Sequence, residues 1–393
     1  MAQSPDLESV RQAARALLPG LRERAEKTEG LRRLPEETVS ELREAGLFRL
    51  LQPARHGGSE LGLEALVAAS AELGRACGST AWCHGVLGVH AFMLGLFPAA
   101  AQQEVYGASP DALIAACFAP SGTATPAPEG YRLRGRWSFA SGCDHAQWIA
   151  VSAPTGVEAL PGVPDLRSFL VPRSDFRIED NWFVAGLRGT GSKDVAVDDV
   201  LVPAHRTLSL VDAALGRAPG LAANPAPLYR LPLFSVLGLA LAGPAVGIAR
   251  GALEAWRERT RERQLAYTGA KLAAQAPAQI RLAESAAEID AAEMLLFDAC
   301  ARASSASEPE GELALAERVR VRRDVAFAVR LCTRAVDRLF EAGGAHALFD
   351  ASPLQRAFRD LHAMSAHAFL CWDTVAELAG RVELGFPPTT PVL

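Results

Sequence analysis

The chain has no CxxC pair, no basic block and no uninterrupted apolar run long enough to span a bilayer comfortably, and each absence excludes a class of function. Its seven cysteines, an odd number, are scattered as Cys77, Cys83, Cys117, Cys143, Cys300, Cys332 and Cys371. That spacing suggests neither a disulfide framework nor a zinc site, and no metal is expected. The net charge of -5 argues against a nucleic-acid partner, and no aromatic stripe interleaves with the basic residues. The longest apolar stretch, Phe234 to Ala249, is broken by Gly238, Gly243, Pro244 and Gly247, so it reads as a buried helix rather than a membrane span. The opening Met1-Ala2-Gln3-Ser4-Pro5-Asp6 has no signal-peptide pattern, and a cytoplasmic protein without a membrane partner is expected. No G-x-G-x-x-G follows a strand, which removes a Rossmann dinucleotide site. Internal repeats are absent.

What is present divides the 393 residues into three sections. Residues 1–116 are expected to be helical. Leu7 to Ala25 has helical spacing, Pro35-Glu36-Glu37 opens a helix with proline and carboxylates in its first turn, and Leu61 to Leu73 and Ser79 to Phe97 follow. Ser79 to Phe97 is apolar almost all round and therefore central. Residues 117–214 change to period two with many turns: Tyr131, Leu133 and Trp137 lie in one strand, Phe169 and Val171 in another, and Val195, Val197 and Val200 to Val202 in a third. A small sheet or barrel is expected there. In residues 215–393 a Pro- and Gly-rich loop, Leu215 to Pro232, precedes long amphipathic helices at Glu254 to Gln264, Gln279 to Ala303 and Glu312 to Ala342, with a polar loop at Ser304 to Gly311. Such helices pack against copies of themselves, so a homo-oligomer is expected.

Histidines are the first candidates for chemistry. Wound as one helix, the segment after Gly343-Gly344 puts Ala357, Leu361, Met364, Ala368, Cys371, Val375 and Leu378 on a single stripe, with His367 on its shoulder and His362 nearly opposite. An imidazole bordering a buried face is where a pocket places a group that exchanges protons near neutral pH, although a histidine satisfied at a helix edge is the commoner case. His90 shares a face with Cys83, Leu87 and Leu94, so it is expected to be buried and either bonded within the core or part of a site. His84 and His145 are read as structural.

Helices, a β section and a helical bundle, in that order, match the α+β acyl-CoA dehydrogenase fold. The runs Trp137-Ser138-Phe139-Ala140-Ser141-Gly142, Gly186 to Asp194 (GLRGTGSKD), Asp199-Val200-Leu201-Val202-Pro203 and Gly343-Gly344 occur in the order and spacing of that superfamily. More narrowly, the chain resembles the oxygenase components of two-component flavin monooxygenases, such as those of 4-hydroxyphenylacetate and steroid-ring hydroxylation and dibenzothiophene S-oxygenation. The resemblance implies an N-terminal helical domain, a central β-domain and a C-terminal four-helix bundle assembled as a homotetramer. It also implies reduced FMN, or FADH2, delivered by a separate NAD(P)H:flavin reductase, with O2 as co-substrate reacting through a flavin C4a-hydroperoxide. Phe118, Ala119, Trp137, Ser141, Arg188, Gly189, Thr190, Gly191, Ser192, Arg263, Gly343 and Gly344 would hold the flavin. A Gly-Thr-Gly-Ser run fits that role physically, since glycines let a backbone approach a flat ring or phosphate with N–H groups as donors.

The superfamily divides by chemistry. Many of its dehydrogenases carry a catalytic glutamate a few residues after the Arg-Asp of this helix; aligning Arg359-Asp360 with that motif puts Ala368 there, and a methyl group accepts no proton. In the monooxygenases a histidine at the place of His367 lies by the reactive edge of the flavin, a serine at the place of Ser141 lies near N5, and one near His90 acts on the substrate hydroxyl. Where the phenol hydroxylases tend to have serines, this chain reads Ile114-Ala115-Ala116-Cys117-Phe118-Ala119-Pro120, so the substrate stays open between a phenol and other electron-rich molecules. N- or S-oxygenation remains an alternative, as does an FAD-containing acyl-CoA dehydrogenase with its base elsewhere.

Overall fold

Proline and glycine positions set most of the helix boundaries in the computed structural model, which describes residues 6–305 and 313–390. The first section holds α1 (Leu7–Ala16), α2 (Leu18–Glu23), α3 (Ala25–Leu31), α4 (Glu36–Glu44), α5 (Leu63–Gly74), α6 (Gly78–Leu96) and α7 (Ala99–Ala108). The stretch expected as one helix from Leu7 to Ala25 is thus split. Pro19, in the first turn of α2, has no N–H to continue the ladder of α1. Pro35 precedes α4, and Glu36 and Glu37 occupy its first turn as expected.

The middle section is not one sheet but two, each of four strands. One takes the order β1 (Ile114–Cys117), β4 (Trp148–Leu160), β5 (Val163–Pro172) and β8 (Thr207–Ser209). The other runs β2 (Thr123–Ala127), β3 (Gly130–Ala140), β7 (Lys193–Pro203) and β6 (Arg177–Glu179). All neighbours are antiparallel except β1 and β4. Inward-facing Leu133, Trp137, Ile149, Val151, Phe169, Val171, Val195 and Val197 form a core of their own between the sheets. The strand expectations from Tyr131 to Val202 therefore hold, and the closure into two layers is what period two alone does not specify.

The third section comprises α8 (Leu210–Ala214), α9 (Leu233–Glu262), α10 (Ala276–Ser305), α11 (Leu315–Gly343), α12 (Pro353–Ser365) and α13 (Trp372–Glu383). Helices α9 to α12 make the bundle, and α13 packs on α11. The apolar run at Phe234 and the charged stretch at Glu254 are one continuous helix, α9, with Pro244 inside it. By length and composition alone α9 would cross a membrane, yet 94% of its most apolar window is buried within the protein. Its glycines have a packing reason: a Cβ on Gly247 would lie 2.1 Å from the Ala71 carbonyl oxygen of α5. Close contact of α5 with α9 joins the helices before and after the β section in one hydrophobic core, from Val10 through Phe92 and Val236 to Leu361. Of the loop expected at Ser304 to Gly311, Ser304 and Ser305 still belong to α10, and 306–311 lie outside the described residues.

The helix expected to run unbroken from Ala357 through Leu378 is interrupted. Helix α12 ends at Ser365 and α13 starts at Trp372. The Phe369 backbone N–H donates to His367 Nδ1 at 3.2 Å, and the N–H groups of Leu370 and Cys371 both donate to the His367 carbonyl. A side chain that captures a local N–H in this way competes with the helical ladder. The interruption removes Ala368 from the expected stripe to an exposed position and leaves Cys371 half-buried, while Ala357, Leu361, Met364, Val375 and Leu378 stay buried.

Candidate active site

Helix α6 is covered on nearly all sides, yet Trp82, Val86 and His90 keep a small accessible area. Steps of four place these three on one stripe, a side of α6 that stays open to solvent. At 1.5 Å per residue, Trp82 and His90 are about 12 Å apart along the axis.

At the Trp82 end three elements converge. The indole Nε1–H donates to Ser141 Oγ at 3.1 Å, which brings the end of β3 onto α6. Ser141 Oγ is 2.7 Å from Ser192 Oγ, which is 2.7 Å from Thr190 Oγ1. His367, in the turn after α12, sets its ring edge-on to Trp82 with centroids 5.7 Å apart. The structure therefore brings Ser141, Thr190, Ser192 and His367 together around Trp82. Because His367 Nδ1 accepts the Phe369 N–H, the neutral ring carries its proton on Nε2. Burial first, and then the positive charge of Arg322, lower the His367 pKa to about 4. Arg322 lies over the Phe369 ring, 4.7 Å from its centroid, in a shallow cleft also lined by Phe234, Gly238 and Arg318.

At the other end of the stripe His90 Nδ1 donates to the Ile114 carbonyl at 2.7 Å, which leaves the lone pair on Nε2. Burial lowers its pKa to about 4, so the imidazole is neutral. The Phe118 ring stands 6.2 Å away, centroid to centroid. The strand Ile114 to Cys117 that lacks serines is β1; Ala115 and Cys117 point into the β core, and Ile114 contributes its backbone carbonyl to His90. His84 is satisfied on both nitrogens, by Ser70 Oγ at 2.8 Å and the Leu47 carbonyl at 3.0 Å. His362 faces away, paired with Asp337 at 2.9 Å.

One expected flavin contact needs correction. Trp137 is fully buried, with its Nε1–H on the Ser152 carbonyl, and belongs to the β core. The strand instead offers Phe139, 70% exposed and edge-on to Trp182 at 6.1 Å. Phe139 has φ +68°, a conformation costly for a bulky residue. In and beside the run Arg188 to Ser192, part of the backbone is already engaged within the protein. The Leu187 N–H goes to Asp360, the Gly189 N–H to Ser79, and the Thr190 N–H to the Leu187 carbonyl. Gly189 and Gly191 serve packing: a Cβ would meet Thr28 at 2.3 Å and Asp144 at 2.6 Å respectively. The run links its Thr190 and Ser192 hydroxyl groups to Ser141; Arg188 is exposed beside it, and Phe118 and Ala119 follow β1.

Arg263, Gly343 and Gly344 form a second group. Arg263 donates to the Gly343 carbonyl at 3.2 Å, and Gly344 adopts φ +63° beside the same guanidinium. Gly343 abuts Leu354 in the first turn of α12, whereas His367 follows its last turn. The two groups are therefore about 20 Å apart along that helix.

An opening with an exposed strained aromatic, a second ring edge-on to it, and a buried hydroxyl chain fits a flat heteroaromatic ring with polar edges, and the arginine beside two glycines fits a phosphate. Trp82, Phe139 and Asp360 were not read as functional in the sequence; Phe139 lies inside the quoted WSFASG run, Asp360 inside the quoted Arg359-Asp360 pair, and Trp82 carries no local signal.

Comparison with known proteins gives the same reading. Residues 4–108 match the acyl-CoA dehydrogenase N-terminal domain and residues 239–372 its C-terminal domain. The chain is 40% identical over 375 residues to the flavin-dependent monooxygenase, oxygenase subunit HsaA, of Rhodococcus jostii (strain RHA1), covering 95% of this chain and 98% of that one. The crystal structure of 3-HSA hydroxylase from Rhodococcus sp. RHA1 superposes with a TM-score of 0.93 at 39% identity, over 99% of this chain and 100% of that one. XiaF from Streptomyces sp., in complex with FADH2 and glycerol, superposes at 0.90 with 31% identity and 98% of each chain covered. The chain thus belongs to the oxygenase components of flavin-dependent monooxygenases, built on the acyl-CoA dehydrogenase fold.

Proposed function

We propose that this oxygenase takes reduced flavin from a separate NAD(P)H:flavin reductase and uses O2 to hydroxylate a phenol-like aromatic molecule, with His367, Ser141 and His90 as its catalytic residues. The observation that carries the reading is the pair of neutral imidazoles with opposite polarity, one at each end of the α6 stripe. His90 presents a lone pair, which orients a substrate hydroxyl and draws its proton as the ring becomes nucleophilic. His367 presents Nε2–H, which donates to a negative oxygen as charge develops there. Ser141 meets the flavin N5 edge, Phe139 and Trp182 flank the ring, and Arg263 with Gly343 and Gly344 takes the phosphate. When bound, reduced flavin supplies the electrons that activate O2; the surrounding residues exclude water from that reaction. Reduced FMN is the proposed cofactor and FADH2, the form bound in XiaF, its alternative. The two flavin groups at opposite ends of α12 and the apolar Leu348 and Phe349, exposed beside Gly344, support a homotetramer in which neighbouring copies complete each site. A dehydrogenase with its base at the end of α12 is disfavoured, since Ala368 is exposed and carries only a methyl group.

The test is to load the protein anaerobically with reduced FMN or FADH2, mix it with oxygenated buffer and a panel of phenols, and follow 18O from O2 into product. One labelled oxygen in the ring supports the proposal. Tightly bound oxidised FAD that an acyl-CoA reduces would refute it.

A further inference from the structure

The hydroxyl chain around Ser141 has only one assignment of its protons. Indole nitrogen is a donor alone, so Trp82 fixes Ser141 Oγ as the acceptor of that bond, at 3.1 Å. At the other end the Leu187 carbonyl is an acceptor alone, so Thr190 Oγ1–H donates to it, at 2.8 Å. With its proton used there, Thr190 accepts from Ser192, and Ser192, whose proton is now used, accepts from Ser141. Any other arrangement sets two oxygen lone pairs against each other at 2.7–2.8 Å. Ser141 thus gives its proton inward, takes the Trp82 N–H on one lone pair and has a single lone pair left. Exposure rises along the chain from 1% at Thr190 through 5% at Ser192 to 9% at Ser141, so Ser141 is the member that a ligand reaches first.

A ligand therefore meets Ser141 as an acceptor. Flavin changes character at one edge on reduction: N5 carries a lone pair when oxidised and an N–H when reduced. We propose that Ser192 and Thr190 are positioning residues that lock Ser141 as an acceptor and thereby make the site select reduced over oxidised flavin. This rests on the reading of the opening as a flavin site with Ser141 at N5. Oxidised flavin either faces lone pair to lone pair or forces the whole chain to reverse against the Leu187 carbonyl. Without the Ser192 hydroxyl, Ser141 is free to turn its proton outward and satisfy oxidised N5.

The experiment is equilibrium titration of the full-length protein with FMN and FAD, each oxidised and, under anaerobic conditions, reduced, for the wild type, Ser192→Ala, Ser192→Thr and Thr190→Val. The expected result is tighter binding of the reduced form by the wild type and by Ser192→Thr, which keeps the hydroxyl. In Ser192→Ala and Thr190→Val the ratio of oxidised to reduced dissociation constants falls roughly tenfold, the scale of one buried hydrogen bond. Equal weakening of both redox forms would assign these residues a merely structural part and overturn the proposal, as would an unchanged ratio. Failure of the wild type to bind either flavin would instead overturn the flavin reading itself, and this proposal with it.

Discussion

Two histidines divide the chemistry because their backbone partners fix opposite tautomers: a carbonyl holds the Nδ1–H of His90, and an amide N–H holds the Nδ1 lone pair of His367. Substitution separates the two roles. His367→Ala should leave flavin oxidation intact but lower the hydroxylated yield several-fold and raise hydrogen peroxide release by the matching amount, measured as product and peroxide per O2 consumed. His90→Ala should slow product formation on the order of a hundredfold while O2 consumption by the flavin continues. Normal coupling in the first, or loss of O2 activation in the second, removes the assignment. The pH dependence has a definite sign. Both pKa values are lowered to about 4, so both rings stay neutral from pH 8 to pH 5, and only further acidification charges them. Single-turnover hydroxylation with pre-reduced flavin should therefore show no inflection near 6.5, the ordinary histidine value; one that vanishes in His90→Asn would contradict the tautomer argument.

Helix α12 holds the hydroxyl-bearing loop through a buried carboxyl. Asp360 Oδ1 accepts the Leu187 N–H at 2.6 Å, and Leu187 sits at φ +52° as the loop turns. Burial pushes the Asp360 pKa up to about 7, against the Leu187 N–H, which pulls it down. The folded state thus keeps this proton to higher pH than the unfolded chain does. The stability Asp360 contributes is complete below its ordinary carboxylate range and is lost as pH rises from about 4 to 7. Asp360→Asn keeps a carbonyl acceptor for Leu187 and removes the buried charge. Its melting temperature relative to the wild type should rise from pH 5 to pH 8, by an amount corresponding to as much as about 3 kcal/mol. A difference that does not change with pH would sink this account. Asp360→Ala strands the Leu187 N–H and should cost about 1–3 kcal/mol. What was legible in the sequence follows the same lines. Period two identified the strands of Trp137, Phe169 and Val195, yet alternation would also put Phe139 inside. A register shift between Trp137 and Ala140 turns Phe139 outward and returns Ala140 to the core, and a bulge of one residue leaves no periodic trace. The break at His367 was hidden for a similar reason, because a single side-chain bond to Phe369 overrides an otherwise helical pattern. His90 was legible because an apolar helix announces its own burial; Trp82 was not, since its partner Ser141 is remote in sequence.

Across the whole molecule, α12 separates two groups that would both serve one flavin. His367 lies past its last turn, and Arg263, Gly343 and Gly344 lie at its first. About 20 Å of helix lies between them, and the surface beside the glycine pair carries exposed Leu348 and Phe349. An apolar patch next to a guanidinium is poorly suited to water and well suited to a second copy of the same surface. The expected particle is a tetramer of 41.7 kDa chains, a mass that light scattering measures directly. Assembly alone does not say whether copies share a site, but mixed assemblies do. Arg263→Ala should weaken flavin binding and His367→Ala should uncouple hydroxylation, so each homo-oligomer makes little product at limiting flavin. If one copy supplies His367 and its neighbour supplies Arg263, a mixed pair contains one intact site and one doubly impaired site. Co-expressing the two variants under different tags and mixing them at random should then restore about a quarter of wild-type hydroxylation. If each chain instead holds its flavin with its own Arg263, every site in the mixture is impaired and no activity returns, and the same titration would place the phosphate within a single copy.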